Sequence, residues 1–442
     1  MKYADLIIDN RTDSTDNFFT YGCEDDSIRP GNKVFVPFGR GNKEKEAYVF
    51  AVSDRPAGEF RNLKYITRAD DEISLTEEMI EVCVWMKKRY MCRYIDAVKL
   101  FTPAGAKSKR NTEARPYKDT KGEAQDISEL TEEQKKALDK LDMSIRGDGG
   151  LFLLHGVTGS GKTEVYMRAI QECVSRGRSA IMLVPEISLT KQIIDRFIGR
   201  FGREQIAVLH SRLTKRERYD EWTRIRNGEV KIVIGARSAV FAPFENIGII
   251  VLDEEHESTY KSDKAPKYDT VEVAIKRVKS FGGTLLLGSA TPSVATYERS
   301  LEGIYTRLEL RERYNKNPLP EVETVDMREE LRSGNTSIFS RKLTEGLAET
   351  FAKGQQAILF LNRRGYSTFV SCRECGYVMK CPDCGISLTY HKDRGKGICH
   401  YCGHEEDIPD VCPECGSRYI RYFGTGTERV EETVNELFGE VT

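Results

Sequence analysis

Residues 151–164 read LFLLHGVTGSGKTE, and the reading of this stretch decides the fold. Leu151–Leu154 is an apolar run of strand length that leads into Gly156-Val157-Thr158-Gly159-Ser160-Gly161-Lys162-Thr163. The spacing G-x-x-x-x-G-K-[ST] is that of a phosphate loop, a buried strand turning through glycines into a helix, here Glu164–Cys173. Gly156, Gly159 and Gly161 let backbone N–H groups close around a phosphate chain, with Ser160 in the same loop, and the helix N-terminus adds the positive end of its dipole. Lys162 is placed to reach the β- and γ-phosphates, and the Thr163 hydroxyl to hold Mg²⁺. The stretch predicts a nucleoside triphosphate site.

Outward from the loop, short apolar runs alternate with amphipathic segments up to about residue 300. The runs are Ala180–Val184, Ile206–Leu209, Lys231–Ile234, Ile247–Leu252 and Thr284–Leu287. Strand–helix alternation predicts an α/β fold, a parallel sheet with helices on both faces. The run at 247–252 ends in Asp253-Glu254-Glu255-His256. Paired carboxylates at a strand end suit nucleotide hydrolysis: Asp253 holds Mg²⁺, and Glu254 orients and deprotonates the attacking water.

Upstream, Tyr3–Ile8, Lys33–Pro37 and Ala47–Val52 read as strands, and Ser74–Tyr90 as a helix with Met79, Val82, Cys83 and Met86 at helical spacing. Residues 1–104 are therefore expected to form a small β-rich domain. Residues 105–129 are charged and nearly free of large apolar side chains, a linker composition. The helix Thr131–Asp142 resumes the fold before the phosphate loop. Residues 130–304 form the first α/β lobe. A second begins at 305, with helix Ser340–Lys353 and buried strand Gln356–Leu361; it is interrupted at 372–418 and resumes at 419–442 with strand Tyr419–Phe423. That is too little for a complete lobe, so the chain is expected to end inside it.

Composition narrows the class. Lys plus Arg number 68 against 69 Asp plus Glu, so any nucleic-acid contact must come from local basic patches. No apolar run reaches the ~18 residues of a membrane span, and the opening MKYADLIIDNRTD has no apolar signal core. The expectation is a soluble, cytoplasmic protein with no membrane partner.

Of twelve cysteines, Cys23, Cys83, Cys92 and Cys173 are scattered, whereas the rest fall at C-x₂-C-x₅-C-x₂-C-x₁₄-C-x₂-C-x₉-C-x₂-C. In a reducing compartment such clustering means metal. Each C-x-x-C turn offers two thiolates, and two turns complete a tetrahedral Cys₄ site, so two Zn²⁺ are expected. Spacing leaves sequential and nested pairing both open. The C-P-x-C-G knuckles at Cys381–Gly385 and Cys412–Gly416 favour zinc over iron–sulfur. All-thiolate ligation makes the zinc structural, with Tyr377, Tyr390, His391 and Tyr401 as candidate surface contacts.

These motifs together resemble superfamily 2 helicases and, within them, the bacterial replication-restart helicases. Leu130-Thr131-Glu132-Glu133-Gln134 resembles the glutamine motif that contacts adenine. Leu183–Thr190, His210–Arg218 and Gly235-Ala236-Arg237-Ser238-Ala239 resemble the first-lobe DNA-tracking motifs. Asp253–His256 and Gly288-Ser289-Ala290-Thr291-Pro292 resemble motifs II and III, and Phe360–Ser367 resembles the opening of the second lobe. Glu257–Asp269 is similar to the family's aromatic-rich loop, with Tyr260 and Tyr268 as stacking faces among Lys261, Lys264 and Lys267. The N-terminal domain resembles a 3′-end-binding domain, with Phe19, Gly39 and Lys64 at its pocket; Thr20 stands where the family usually has an aspartate. The family's winged-helix domain and later second-lobe motifs, including the arginine that completes the ATP site, are missing. The resemblance implies nested zinc pairing: Cys372, Cys375, Cys412 and Cys415 on one ion; Cys381, Cys384, Cys399 and Cys402 on the other. It implies an ATP-dependent 3′→5′ DNA helicase that restarts stalled forks by primosome assembly. Its partners would be forked and single-stranded DNA, single-stranded DNA-binding protein and other primosome proteins. An ATP-driven translocase and a non-catalytic fork binder are the alternative readings.

Overall fold

Five short strands open the fold. They are β1 (Lys2–Ile8), β2 (Phe19–Cys23), β3 (Asn32–Phe38), β4 (Lys43–Ser53) and β5 (Arg68–Ser74). They pair antiparallel in the order β2-β1-β4-β3-β5 around Leu6, Ile8, Val34, Val36 and Val49. The computed structural model describes every residue except 1, 56–61, 104–121, 123–128, 186–190, 319, 362–368, 392–393, 423–426 and 440–442. Most of the expected linker, the end of Leu183–Thr190 and most of Phe360–Ser367 lie outside the described residues.

Helix α1 (Glu77–Tyr90) starts later than its sequence pattern suggests, because Ser74 is held in the sheet opposite Asn32. Thr76 caps it instead, accepting from the Met79 N–H at 3.3 Å. Helix α2 (Tyr94–Phe101) was not anticipated; it buries Ile95, Ala97, Val98 and Phe101.

The central layer is a seven-stranded, all-parallel sheet. Its elements are α3 (Glu132–Arg146), β6 (Gly150–Gly156), α4 (Lys162–Ser175), β7 (Ser179–Leu183), α5 (Lys191–Phe201), β8 (Ile206–Leu209), α6 (Lys215–Arg226), β9 (Ile232–Gly235), β10 (Ile247–Asp253), α7 (Thr270–Ser280), β11 (Thr284–Ser289), α8 (Val294–Leu301) and β12 (Thr306–Leu310). The strand order is β12-β6-β11-β10-β7-β9-β8. Alternate side chains divide between two cores, as pleating requires. Leu154, Met182 and Val251 pack with α3, α4 and α5. Leu153, Leu183 and Leu252 pack with α6, α7 and the N-terminal helices α1 and α2. Burial on both faces explains why these strands read as continuous apolar runs.

Strand β12 pairs with β6, so residues 306–310 belong to this sheet and not to a second lobe starting at 305. The first compact unit runs from Met1 to Pro318 and the second from Leu319 to Thr442. In the second, α9 (Met327–Arg332) and α10 (Arg341–Ala352) precede the cysteine block. The block holds β13 (Val370–Cys372), β14 (Thr389–His391), β15 (Lys396–Ile398), β16 (Glu405–Asp407) and β17 (Ile420–Tyr422), and α11 (Thr427–Phe438) follows.

Two expected strands are corrected here. Residues 356–361 form no strand, and Ile358 and Phe360 are 94% and 85% exposed. An apolar run becomes a strand only where a neighbour supplies backbone partners, and none does so among the described residues. Ile420–Tyr422 pairs antiparallel with Val370–Cys372 and closes the cysteine block instead of resuming a parallel sheet.

Candidate functional site

Strand β6 delivers the chain at Gly156, and α4 departs at Lys162 behind Gly161, whose φ of 81° is left-handed. A side chain at Gly156 would collide with Ser160 Oγ and Leu310, so the tight turn requires glycine. Lys162 Nζ donates to Gly156 O at 3.0 Å and lies 3.9 Å from Glu254 Oε1. Thr163 is the second residue of α4. Ser160 is buried, and its hydroxyl has no partner among the described residues. An orphan hydroxyl inside a phosphate loop fits an anion as its missing partner. Asp253 and Thr163 supply the hard oxygen donors that suit Mg²⁺.

Asp253 ends β10, next to β11 in the sheet. Burial pushes its carboxyl pKa up, and a 2.9 Å hydrogen bond from the Tyr166 hydroxyl opposes that shift. Glu254 adopts φ 47°, a sparsely populated conformation for a non-glycine residue. Ser289 Oγ lies 3.5 Å from Glu254 Oε2 and 2.8 Å from His256 Nδ1, and it accepts from the Thr291 N–H at 3.0 Å. The two motifs are thereby joined by side-chain hydrogen bonds. Glu255 plays a different part: it is buried and accepts from the Ser293 N–H at 2.7 Å and Thr296 Oγ1 at 3.0 Å, capping α8.

Gln134 is 1% exposed and committed at both ends. Its Oε1 accepts from the Thr131 N–H at 2.9 Å, closing a capping box, while Nε2 donates to Ser160 O at 3.0 Å. In this structure the amide, which the motif resemblance assigns to adenine, braces the phosphate loop from behind.

The two tyrosines of the aromatic loop are turned inwards. Tyr260 and Tyr268 are 2% and 4% exposed, so neither offers a stacking face in this conformation. The Tyr260 hydroxyl lies 2.7 Å from Asp253 O and 3.1 Å from Leu183 O, and Tyr268 packs edge-on against Phe241. Lys261, Lys264 and Lys267 are exposed, as expected. Arg237 donates to Lys261 O at 2.6 Å and Thr259 O at 3.3 Å, fixing the loop's base.

In the N-terminal sheet, Lys64 Nζ donates to Gly39 O at 2.8 Å, and Gly39 has φ 74°. Phe19 packs edge-on against Phe38, the residue before Gly39. The three expected pocket residues are thus neighbours. Thr20 donates to Asp5 Oδ1 at 2.6 Å across the β1–β2 pair.

The cysteines gather into two groups, Cys372, Cys375, Cys412 and Cys415, and Cys381, Cys384, Cys399 and Cys402. Nested pairing is the arrangement found. Sulfur separations of 3.6 Å for Cys372–Cys415, Cys375–Cys412 and Cys381–Cys402 exclude disulfides, whose bond is about 2.05 Å. They match the edge of a tetrahedron with Zn–S of about 2.3 Å, which is about 3.8 Å. All four knuckles are C-x-x-C-G, with Gly376, Gly385, Gly403 and Gly416 at φ between 68° and 81°. Each glycine N–H returns to the carbonyl of its first cysteine, at 2.8 to 3.0 Å. Backbone N–H groups of Cys402 and Tyr401 point at the Cys399 sulfur and favour its thiolate. Around the knuckles Tyr401 is 81% exposed, Tyr377 and Tyr390 are half-buried, and His391 Nε2 lies 2.8 Å from His400 Nε2.

Three stretches of the chain match known families. Residues 5–103 match the 3′ DNA-binding domain of PriA, 131–300 the DEAD/DEAH box helicase family, and 381–406 the Cys-rich region of PriA DNA helicase. The replication restart protein PriA of Bacillus subtilis is 54% identical over 323 residues, 73% of this chain and 40% of that protein. That of Synechocystis is 48% identical over 329 residues, 72% of this chain and 39% of that protein. That of Treponema pallidum is 38% identical over 446 residues, 99% of this chain and 66% of that protein. This chain thus spans from about two fifths to about two thirds of these relatives. With 3′ DNA-binding, helicase and cysteine-rich matches along one chain and relatives up to 54% identical, it belongs to the replication restart protein PriA family.

Proposed function

We propose that this chain carries the ATP site of a 3′→5′ DNA helicase that recognises stalled or repaired replication forks and restarts replication by primosome assembly. The observation that carries the reading is the convergence of Lys162, Asp253, Glu254 and Ser289 at the strand ends of one sheet, in the same compact unit as a 3′-DNA-binding domain. Lys162 and the phosphate-loop backbone hold the triphosphate, while Thr163 and Asp253 hold Mg²⁺. A Mg²⁺ held there would supply neutralisation of the charge developing on the transferred phosphoryl group. Glu254 accepts the proton of the attacking water, and its bond to Ser289 transmits that state to motif III. Phe19, Gly39 and Lys64 receive a 3′ DNA end. Arg237 and the lysines of 257–269 contact the strand backbone, giving salt-dependent affinity.

The two Cys₄ sites hold structural zinc, and the exposed knuckle side chains give the second unit a rigid surface for DNA or primosome proteins, including single-stranded DNA-binding protein. The test is ATP turnover by the protein, with and without forked DNA carrying a 3′ end at the junction. DNA-stimulated turnover that is lost in Glu254→Gln, with nucleotide binding retained, is the expected result. Unchanged turnover in that variant would defeat the assignment.

A further inference from the structure

Tyr166 lies on α4 one helical turn beyond Thr163, so both residues face the same side of the helix. It is fully buried, yet it is not simply core. Its hydroxyl donates to Asp253 Oδ1 at 2.9 Å.

The space around that hydroxyl is reserved. A Cβ built on Gly288 would lie 1.7 Å from the Tyr166 oxygen, closer than any pair of atoms tolerates. Gly288 is paired with Asp253 in the sheet, and its carbonyl accepts from the Glu255 N–H at 3.0 Å. The hydroxyl therefore fills the gap between the strand ending in Asp253-Glu254 and the strand leading into Ser289-Ala290-Thr291. One donor on the phosphate-loop helix touches both.

We propose that Tyr166 is a positioning residue for divalent-metal binding: its hydroxyl occupies one oxygen of Asp253 and so aims the other at the metal that accompanies the nucleotide. The proposal rests on the nucleotide reading above. A buried carboxylate without this donor can rotate, and that weakens its hold on a hard cation. Residues that orient a metal ligand in this way typically account for about 10–100-fold in metal affinity. Gly288 acts in the same device by leaving the hydroxyl its place.

The test is a Mg²⁺ titration of N-methylanthraniloyl-ADP binding to the 442-residue chain, followed by fluorescence. Tyr166→Phe keeps the buried ring and removes only the donor. Expected is unchanged nucleotide affinity in EDTA and a Mg²⁺ midpoint raised about tenfold or more. Gly288→Ala, whose added Cβ meets the Tyr166 hydroxyl and ring first, should raise the midpoint in the same direction. A merely structural tyrosine predicts lower thermal stability in both variants with the Mg²⁺ midpoint unmoved, and that result overturns the proposal. If Tyr166→Phe does not fold, the Gly288→Ala midpoint decides. A wild-type chain that binds no nucleotide, with or without Mg²⁺, overturns the nucleotide reading as well. Binding that survives Lys162→Ala unchanged overturns that reading too.

Discussion

Arg277 of α7 and Glu78 of α1 form a two-pronged ion pair at 2.8 and 3.0 Å, although 199 positions separate them in sequence. Arg277 is wholly buried and also donates to Val240 O at 2.6 Å and Ala242 O at 2.9 Å, just after the Gly235–Ala239 motif. The N-terminal helices are thus joined to the sheet through a desolvated charge whose donors are well used. Removing one partner strands the other, at a cost of about 3–5 kcal/mol. Glu78→Ala is expected to lose that much in urea unfolding of the first unit. Replacing both residues with apolar ones, as in Glu78→Leu with Arg277→Met, should recover much of it. Additive losses in the double variant would show that the pair itself is not the source.

Tyr260 gives a second expectation. With its hydroxyl between the carbonyls of Asp253 and Leu183, Tyr260→Phe leaves buried acceptors short of a donor and should cost about 1–3 kcal/mol. Because the ring is buried, affinity for single-stranded DNA at fixed salt should not change. Lys261→Ala and Lys267→Ala should behave in the opposite way. Stability is kept, while the slope of log affinity against log salt falls by about 1 for each lysine that touches a phosphate. Anisotropy titrations at several salt concentrations separate the two patterns.

The parts legible in the sequence are those whose chemistry is local. The phosphate loop, the buried parallel strands and the cysteine knuckles each declare themselves within a few residues, because strand burial, tight turns and metal ligation constrain composition directly. Both unforeseen strands of the N-terminal sheet, β2 and β5, are its two edges. An edge strand is half-solvated and carries polar residues, so Arg68–Ser74 (RADDEIS) shows no apolar alternation. Tyr260 and Tyr268, set among lysines, read as surface, and only tertiary packing turns them inwards. Tyr166 was missed for the converse reason: on an apolar helix face a hydrogen-bonding tyrosine looks like any core aromatic. Residues 356–361 misled because an apolar run specifies burial, not the partner that provides it.

Glu254 pays a conformational cost for its position. At φ 47° a glutamate holds a conformation that costs about 1–3 kcal/mol unless the surroundings require it. Glu254→Gly should therefore raise stability by about 1 kcal/mol while abolishing any ATP turnover. Glu254→Gln keeps the strain and should leave stability nearly unchanged. Equal stability for the glycine and glutamine variants, measured by denaturant unfolding, would remove strain from the account.

The last expectation concerns the cysteine block, whose core is made largely of its own ligands. Cys372, Cys381, Cys399 and Cys412 are buried together with Val370, Met379, Leu388 and Ile420, and few other apolar side chains join them. So small a cluster cannot offset the chain entropy of the residues it orders, and metal binding must supply the difference. Metal analysis should return two zinc ions per chain. Because the pairing is nested, Cys381→Ser with Cys399→Ser should remove one ion and leave the Cys372–Cys415 site loaded. Sequential pairing would place Cys381 with Cys372 and Cys399 with Cys415, so the same double change would damage both sites. Chelation with a strong zinc ligand should abolish amide protection across 370–422. It should leave protection in the seven-stranded sheet intact, since that sheet draws on two apolar cores of its own. Loss of protection in the sheet at the same chelator concentration would mean that zinc stabilises more of the protein than its own ribbon.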